Sequence, residues 1–401
     1  MKTAIIGGGA AAFFASINIK EHFPNSEVVL FEKTSKLLSK VLVSGGGRCN
    51  VTNSETSISR FSKSYPRGEK QLKKLFNTFC NQDTINWFES RGVKIVSEED
   101  GRMFPKSNTS QTIYDLFISE TERLGIKIQL KSGVNSIKQE EEKINLEVNG
   151  HNLLFDKVIV CTGGSPKSEG FNWIKSLGHK IENPVPSLFT FNIPNEKITQ
   201  LMGLSVPEAS VSIQSTKLKH KGALLITHWG MSGPAVLKLS SFGARILSDK
   251  EYDFNINISW CGESNFEELR EYFQSVIKEN TKKKLFNIRP FNFPKRLWSY
   301  LLERSELVEE KPWGELGKKQ LNKLIQIICN DTYHVKGKTT FKEEFVTCGG
   351  ISLESINIKT MESKHVKNLY FAGEILDIDG VTGGFNFQAA WTTSFIASKL
   401  K

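Results

Sequence analysis

The chain has 401 residues, 39% of them apolar and 24% charged, with a net charge of +10. That length predicts two or three domains with ample core, and the composition is that of an ordinary globular protein, not a fibrous or disordered one. No uninterrupted apolar run approaches the roughly 20 residues of a membrane-spanning helix, so no membrane association is expected.

The opening MKTAIIGGGAAAFFAS is a strand running directly into glycines, without the apolar core and small-residue cleavage site of a secretory leader. Cys49, Cys80, Cys161, Cys261, Cys329 and Cys348 are scattered and form no CxxC, so neither a zinc spacing nor a redox dithiol is present. The pattern suits a reducing cytoplasm, which is the expected location.

Thr3 to Ile6 is a short apolar strand that leads into Gly7-Gly8-Gly9-Ala10-Ala11-Ala12 and the helix-like run FFASINIKEHF. EVVLFEK follows as a second buried strand ending at Glu32. Gly7, Gly9 and Ala12 fit G-x-G-x-x-A, and Glu32 stands 20 residues past Ala12, where a Rossmann unit places the carboxylate that accepts ribose hydroxyls. The glycines bring the backbone up to a pyrophosphate, which then sits on amides at the helix N-terminus. Strand, turn, helix, second strand and acid are all in register, and together they predict a dinucleotide site.

Further along come SGGGRCNVTN (Ser44 to Asn53), a bare backbone followed by a cation and a thiol, and FDKVIVCTGGSP (Phe155 to Pro166), a buried strand running into Thr162-Gly163-Gly164. SLFTFNIP, EASVSIQS and YDFNINISW then read as strands, while FEELREYFQSVI and KKQLNKLIQIICN carry apolar residues at helical spacing. This middle part is the basic one: Phe189 to Lys342 holds 23 Lys and Arg against 16 Asp and Glu, a surplus of seven, and the rest of the chain has a surplus of three. In KKKLFNIRPFNFPKRLW (Lys282 to Trp298) cations alternate with Phe286, Phe291, Phe293 and Trp298, a pattern that suits a phosphate-bearing partner such as RNA and equally suits a solvated helix face with its aromatics in the core.

Near the C-terminus LYFAGEILDIDGVTGGFNFQAAW is a strand ending at Gly373-Glu374, an acidic glycine-rich loop, and a helix starting near Asn386. A second glycine-rich junction this late in the chain is expected where the polypeptide returns to embrace the other half of an extended cofactor. With the return strand at Thr162-Gly163-Gly164 between them, the three junctions point to FAD rather than NAD as the resident dinucleotide.

Gly45, Gly46 and Gly47 would let a loop lie against FAD without Cβ clashes and with amides free for phosphate or flavin oxygens. Arg48 could stabilise negative charge on the pyrophosphate or the reduced ring, and Asn50 could line the flavin's polar edge. Cys49 admits two readings, a general acid that protonates a carbanion after hydride transfer or a small buried filler. His228, in THWGMSGP, is the other candidate proton donor, or else a packed structural histidine. Gly230, Ser232, Gly233 and Pro234 read as a tight turn into a helix. Asp377, Asp379 and Gly380 fit a loop near the ribityl chain or pyrophosphate; two carboxylates without histidines make a poor metal site.

EKTSKLLSKVLVSGGGRCNVTN, THWGMSGPAVLKLSS, EEFVTCGGI, TMESK and the C-terminal FAGE…DG.TGGFN together resemble the YhiN/BaiN-like flavoproteins, often described as aminoacetone-oxidase-like, from Thr3 to Ser398. Two departures are AAAFFA after the first glycines and Ser39-Lys40, where the family commonly has Gly-Arg-Lys. The resemblance implies an α/β fold with a discontinuous Rossmann-like FAD-binding domain. Its first part would be residues 1 to 188 and its second 343 to 401, with an inserted antiparallel β module at 189 to 261, a helical subdomain at 262 to 337 and a return of the β module at 338 to 342. The cofactor set expected from these motifs is Gly7, Gly9, Ala10, Ala11, Ala12, Glu32, Lys33, Lys40, Gly45, Gly46, Gly47, Arg48, Asn50, Val134, Thr162, Gly163, Gly164, Gly373, Glu374, Asp379, Gly384, Phe385 and Asn386.

Three functions remain open at this point. The resemblance favours a flavin reductase acting on an activated C=C bond, since members are linked to enone-like substrates and one branch to dihydrouridine in 23S ribosomal RNA. A basic insert would suit that RNA, and a small enone is the substrate otherwise. NAD(P)H is expected as a transient reductant, because no second G-x-G-x-x-G unit is present. The alternatives are a flavin amine oxidase and a non-catalytic flavin- or RNA-binding assembly factor.

Overall fold

The computed structural model describes residues 1–340 and 346–401. It divides into two units: Met1–Ser187 with the C-terminal segment 346–401, and Leu188–Thr340.

Four of the first unit's strands are short apolar runs, TAII, VVLF, VIV and LYF, of the kind that suits strands covered on both faces. With Lys127–Gln129 they form a parallel sheet in the order Leu369–Phe371, Lys157–Val160, Lys2–Ile6, Glu27–Phe31, Lys127–Gln129, in register through Ile159↔Tyr370, Ile5↔Ile159 and Ile5↔Leu30. The return strand FDKVIV thus lies between the first strand and the C-terminal one.

The helix Ala10–His22 buries Phe13, Phe14, Ile17 and Ile19 and even Ser16 and Asn18, so it is enclosed on all sides. Its Phe14 ring lies 4.5 Å from Trp87 and 5.2 Å from Trp391 of the helix Phe385–Ala397. On the side of Ala11 it needs small residues: a Cβ on Gly373 would come within 2.8 Å of the Ala11 Cβ. That close approach accounts for the alanines after the first glycines, and Ala12 itself is fully buried.

TMESK lies in a hairpin at the edge of this sheet. Ile356–Asn357 pairs with Glu362–Ser363, which pairs with the C-terminal strand through Glu362↔Tyr370. Ser363 Oγ accepts from the amides of His365 and Val366 and stands 3.0 Å from His179 Nε2. The motif holds an edge hairpin in shape.

The second unit is an antiparallel sheet in the order Asp331–Lys336, Asp253–Ser259, Ser205–Ile213, Lys219–Ile226, Gly230–Ser232, Thr190–Asn192, Lys338–Thr339. Its strands and helices share one apolar core, in which Val211, Ile256 and Ile258 join Phe273, Leu297, Trp298, Leu324 and Ile328. Asp331–Lys336 falls at the end of the segment expected as a helical subdomain, and its strict buried–exposed alternation makes it a strand of the sheet. The two inserted subdomains expected from sequence are therefore one packed body. Lys338–Thr339 returns to pair with Thr190–Asn192; residues 341 and 342 of the expected return, and the start of EEFVTCGGI, lie outside the described residues.

Candidate cofactor site

The site begins with the carboxyl ends of the parallel strands. Ala372 N donates to Val160 O at 3.0 Å, Cys161 N to Ile6 O at 2.8 Å, Gly7 N to Phe31 O at 2.8 Å and Glu32 N to Gln129 O at 2.9 Å. These bonds align the strand ends, and the turns at Gly7, Glu32, Thr162 and Gly373 all leave from that one edge. In open parallel sheets this is the edge where ligands bind.

At the first turn a Cβ on Gly7 (φ 117°) would lie 2.4 Å from Cys161 O, so the neighbouring strand dictates glycine. At Gly9 a Cβ would meet nothing within 4 Å, which leaves open space before the first turn of the helix. The amides of Ala10 and Ala11 belong to that turn, whose donors have no partners within a helix. Glu32 is fixed beside them: one oxygen accepts from Gly8 N at 2.8 Å, the other from Thr34 N at 2.8 Å and Thr34 Oγ1 at 2.7 Å. Ser132 N bonds Glu32 O, and a Cβ on Gly133 would stand 3.4 Å from the Lys33 Cβ, so the chain entering Val134 runs alongside Lys33.

The return strand meets the C-terminal strand around Glu374. Its carboxylate accepts from Thr347 N at 2.9 Å and from Lys40 Nζ at 2.5 Å, while a Cβ on Gly164 would lie 3.1 Å from its Oε1 and 2.2 Å from Thr347 Oγ1. Among the described residues Thr347 Oγ1 is buried without a hydrogen-bond partner. Lys40, Gly163, Gly164 and Glu374 are thus brought together, with Thr347 added.

The three glycines of SGGGRCN answer a backbone demand. The helix that starts at Ser39 breaks at Ser44, and Gly45 (φ 59°), Gly46 (φ 70°) and Gly47 (φ 81°) follow in the left-handed region, which residues with a Cβ rarely enter. Gly46 faces open space, whereas Gly45 is also crowded by Phe104 Cε1, 2.9 Å from where a Cβ would stand. Arg48 is neutralised within the protein: Nη1 donates to Glu98 Oε1 at 2.6 Å and the guanidinium lies 4.0 Å over the Phe104 ring. Asn50 Oδ1 accepts from Met103 N at 3.2 Å, so its oxygen secures the neighbouring strand. Cys49 is fully buried, and burial pushes its thiol up to about 12.

The C-terminal loop closes over this stretch. Asn386 clasps Gly380, accepting from its amide at 2.8 Å and donating to its carbonyl at 2.9 Å. Asp379 gives both carboxylate oxygens to protein partners, accepting from Arg67 in a fork and from Ser187 Oγ at 2.7 Å. Gly384 (φ 91°) caps the last helix where a Cβ would strike Thr52 O at 2.3 Å, and Phe385 O accepts from Tyr65 OH. Trp391 Nε1 donates to Val51 O at 2.9 Å, and Gln388 Oε1 accepts from Thr52 Oγ1 and Thr84 Oγ1.

His228 belongs to the other unit. It is exposed at the tip of the hairpin between Lys219–Ile226 and Gly230–Ser232, its ring 4.1 Å from that of Trp229. Gly233 and Pro234 then start the helix Pro234–Phe242. Sequence reasoning passed over Arg67, Glu98, Gln388 and the role of Thr347. Arg67 lies 312 residues from Asp379 and carries no local pattern that could have revealed it.

The family model described as the HI0933-like protein Rossmann domain matches residues 1–400. The chain is 30% identical to the ribosomal RNA dihydrouridine synthase of Haemophilus influenzae, over 98% of this chain and 96% of that protein. It is 25% identical to the 3-dehydro-bile acid delta(4,6)-reductase of Clostridium scindens, over 99% and 98%. Among solved structures the 3-ketosteroid delta1-dehydrogenase of Sterolibacterium denitrificans is similar in fold, with a TM-score of 0.54 at 11% identity over 99% of this chain and 98% of that one.

Proposed function

From the premise that the chain belongs to the HI0933-like Rossmann-domain family, we propose that it is an FAD-dependent reductase, supplied with electrons by NAD(P)H, that reduces the C5=C6 bond of uridine in 23S ribosomal RNA. The observation that carries the reading is the alignment of glycine-bearing turns along one carboxyl edge, together with 30% identity to a ribosomal RNA dihydrouridine synthase.

The residues present fit FAD. Open space stands before Gly9 and Gly46, Glu32 is fixed at the end of the second strand, and the Thr347 hydroxyl, without a partner among the described residues, lies beside Gly164. Gly7 to Ala12 would hold the pyrophosphate, Glu32 the ribose, and the loops Ser44–Asn50 and Asp379–Asn386 the remainder. FAD supplies hydride chemistry when bound. The chain's own tasks are to fix those loops, keep water from the reacting ring and deliver a proton to the substrate carbon.

Two side chains compete for the proton. Cys49 stays protonated at neutral pH, and releasing its proton would leave a fully buried thiolate, which burial disfavours. His228, exposed at its hairpin tip in the second unit, is the other proposed donor. The resemblance to the bile-acid reductase supports a small conjugated enone as the second reading. The deciding measurement is the dihydrouridine content of 23S ribosomal RNA, by nucleoside mass spectrometry, from cells with and without the gene. Loss in the deletion supports RNA as substrate; an unchanged level overturns that reading. Peroxide release with small amines would instead favour the amine oxidase.

A further inference from the structure

From Lys278 to Trp298 the chain has seven cations and one carboxylate. In the structure this stretch separates into two layers. Leu285, Phe293, Leu297 and Trp298 are buried, while Lys282, Lys283, Lys284, Arg289, Lys295 and Arg296 are exposed, and among the described residues none of those six is in an ion pair. So far this is an ordinary amphipathic arrangement.

Phe291 departs from it. It stands at φ 55° and Asn292 at φ 54°, both in the left-handed region, which a bulky aromatic rarely occupies. Its ring is 37% exposed and lies 4.7 Å from that of Tyr272, itself 38% exposed. Behind the pair the rings continue inward through Phe273, Trp313 and Trp298, with Phe273–Trp313 at 5.9 Å and Trp298–Trp313 at 6.2 Å. Lys283 O accepts from Trp313 N, which fixes the lysine run against the same ladder. Next to it Lys295 and Arg296 border an open groove of about 490 Å³ with Met202, 59% exposed, on its wall.

We propose that this face of the inserted unit is an RNA-docking surface. The exposed cations, of which Arg296 donates to Gln200 O and Lys295 lies over the Phe286 ring, neutralise phosphates, and the Phe291–Tyr272 pair offers a platform on which an unpaired base stacks. Charge complementarity selects a polyanion, and an exposed aromatic pair beside the cations selects one with unstacked bases, as in single-stranded or looped RNA. The inference rests on the proposed function for its choice of RNA.

The test uses the full chain with FAD and a labelled single-stranded, uridine-rich RNA, followed by fluorescence anisotropy across a salt series. Reversing charge at Lys282→Glu, Lys283→Glu and Lys284→Glu together is expected to weaken binding about tenfold or more and flatten the salt dependence. Phe291→Ala is expected to weaken it about fivefold with the slope unchanged, and Phe291→Tyr to restore it. All changes are at exposed positions, and an unaltered thermal midpoint confirms that each variant is folded. Binding and slope like the parent's in both variants would overturn the proposal. If the gene deletion loses dihydrouridine yet the triple variant restores it fully and binds RNA normally, the docking surface is wrong and the proposed function stands. If the deletion changes nothing, the proposed function fails, and the anisotropy series still decides the surface.

Discussion

Asp379 in the Rossmann unit and Asp331 in the inserted unit are both fully buried, and each accepts from an arginine. Asp379 meets Arg67 and Ser187 across loops and strand ends. Asp331 meets Arg304 Nε at 2.6 Å, Tyr333 OH at 2.6 Å and Trp260 Nε1 at 3.1 Å, and Tyr333 OH is 3.1 Å from Tyr300 OH, all on or beside regular elements around one core. The same chemical pair thus holds a loop in one unit and a body in the other. What a buried ion pair stabilises depends on what its neighbours would do without it.

The comparison yields graded expectations. Asp331→Ala strands a half-buried guanidinium and two buried donors, and should cost about 3–5 kcal/mol in chemical denaturation. A loss below about 1 kcal/mol would show that the network is not holding the inserted unit together. His179 sharpens the contrast, because it is a buried titratable group of the Rossmann unit with no counter-charge among the described residues; burial lowers its imidazole to about 4, with His365 adding to the effect. Above about pH 6.5 it is neutral in both states, and as pH falls from there towards about 4 the unfolded chain takes up a proton that the folded one refuses, so stability drops by up to roughly 3 kcal/mol. His179→Phe should remove that part of the acid sensitivity in urea titrations at pH 7 and pH 4.5. The smallest effect belongs to Asp379→Asn, which keeps an acceptor for Ser187 and should weaken FAD retention about tenfold, or about 1.4 kcal/mol, with little change in global stability. Global unfolding with FAD affinity intact would reverse the assignment of the two pairs.

The parts legible in the sequence were those with local cause. Gly7, Gly9, Ala12 and Glu32 stand within one strand–helix–strand unit, so spacing alone puts Gly7 and Glu32 just past strand ends and Gly9 and Ala12 at the start of the helix. Gly45 to Gly47 announced a backbone that avoids side chains, which is the left-handed run observed. Side-chain assignments fared differently. Arg48, Asn50 and Asp379 were read by charge and polarity, and their groups are bound to Glu98, Met103 and Arg67. Those partners come from distant segments, and no spacing rule reaches them. The aromatics of the basic stretch were ambiguous for a related reason: composition cannot tell that Trp298 turns inward while Phe291 stays out.

The bond from Trp391 Nε1 to Val51 O joins residues 340 apart. At about 5–20 residues per second of synthesis, roughly 20 s to a minute passes between the emergence of its two ends. Throughout that interval the loop Ser44–Asn53 lacks the helix it rests on, and the parallel sheet lacks its strand Leu369–Phe371. On that timing, the backing that the helix Phe385–Ala397 gives this loop is a late feature of synthesis, formed long after the loop itself has been made.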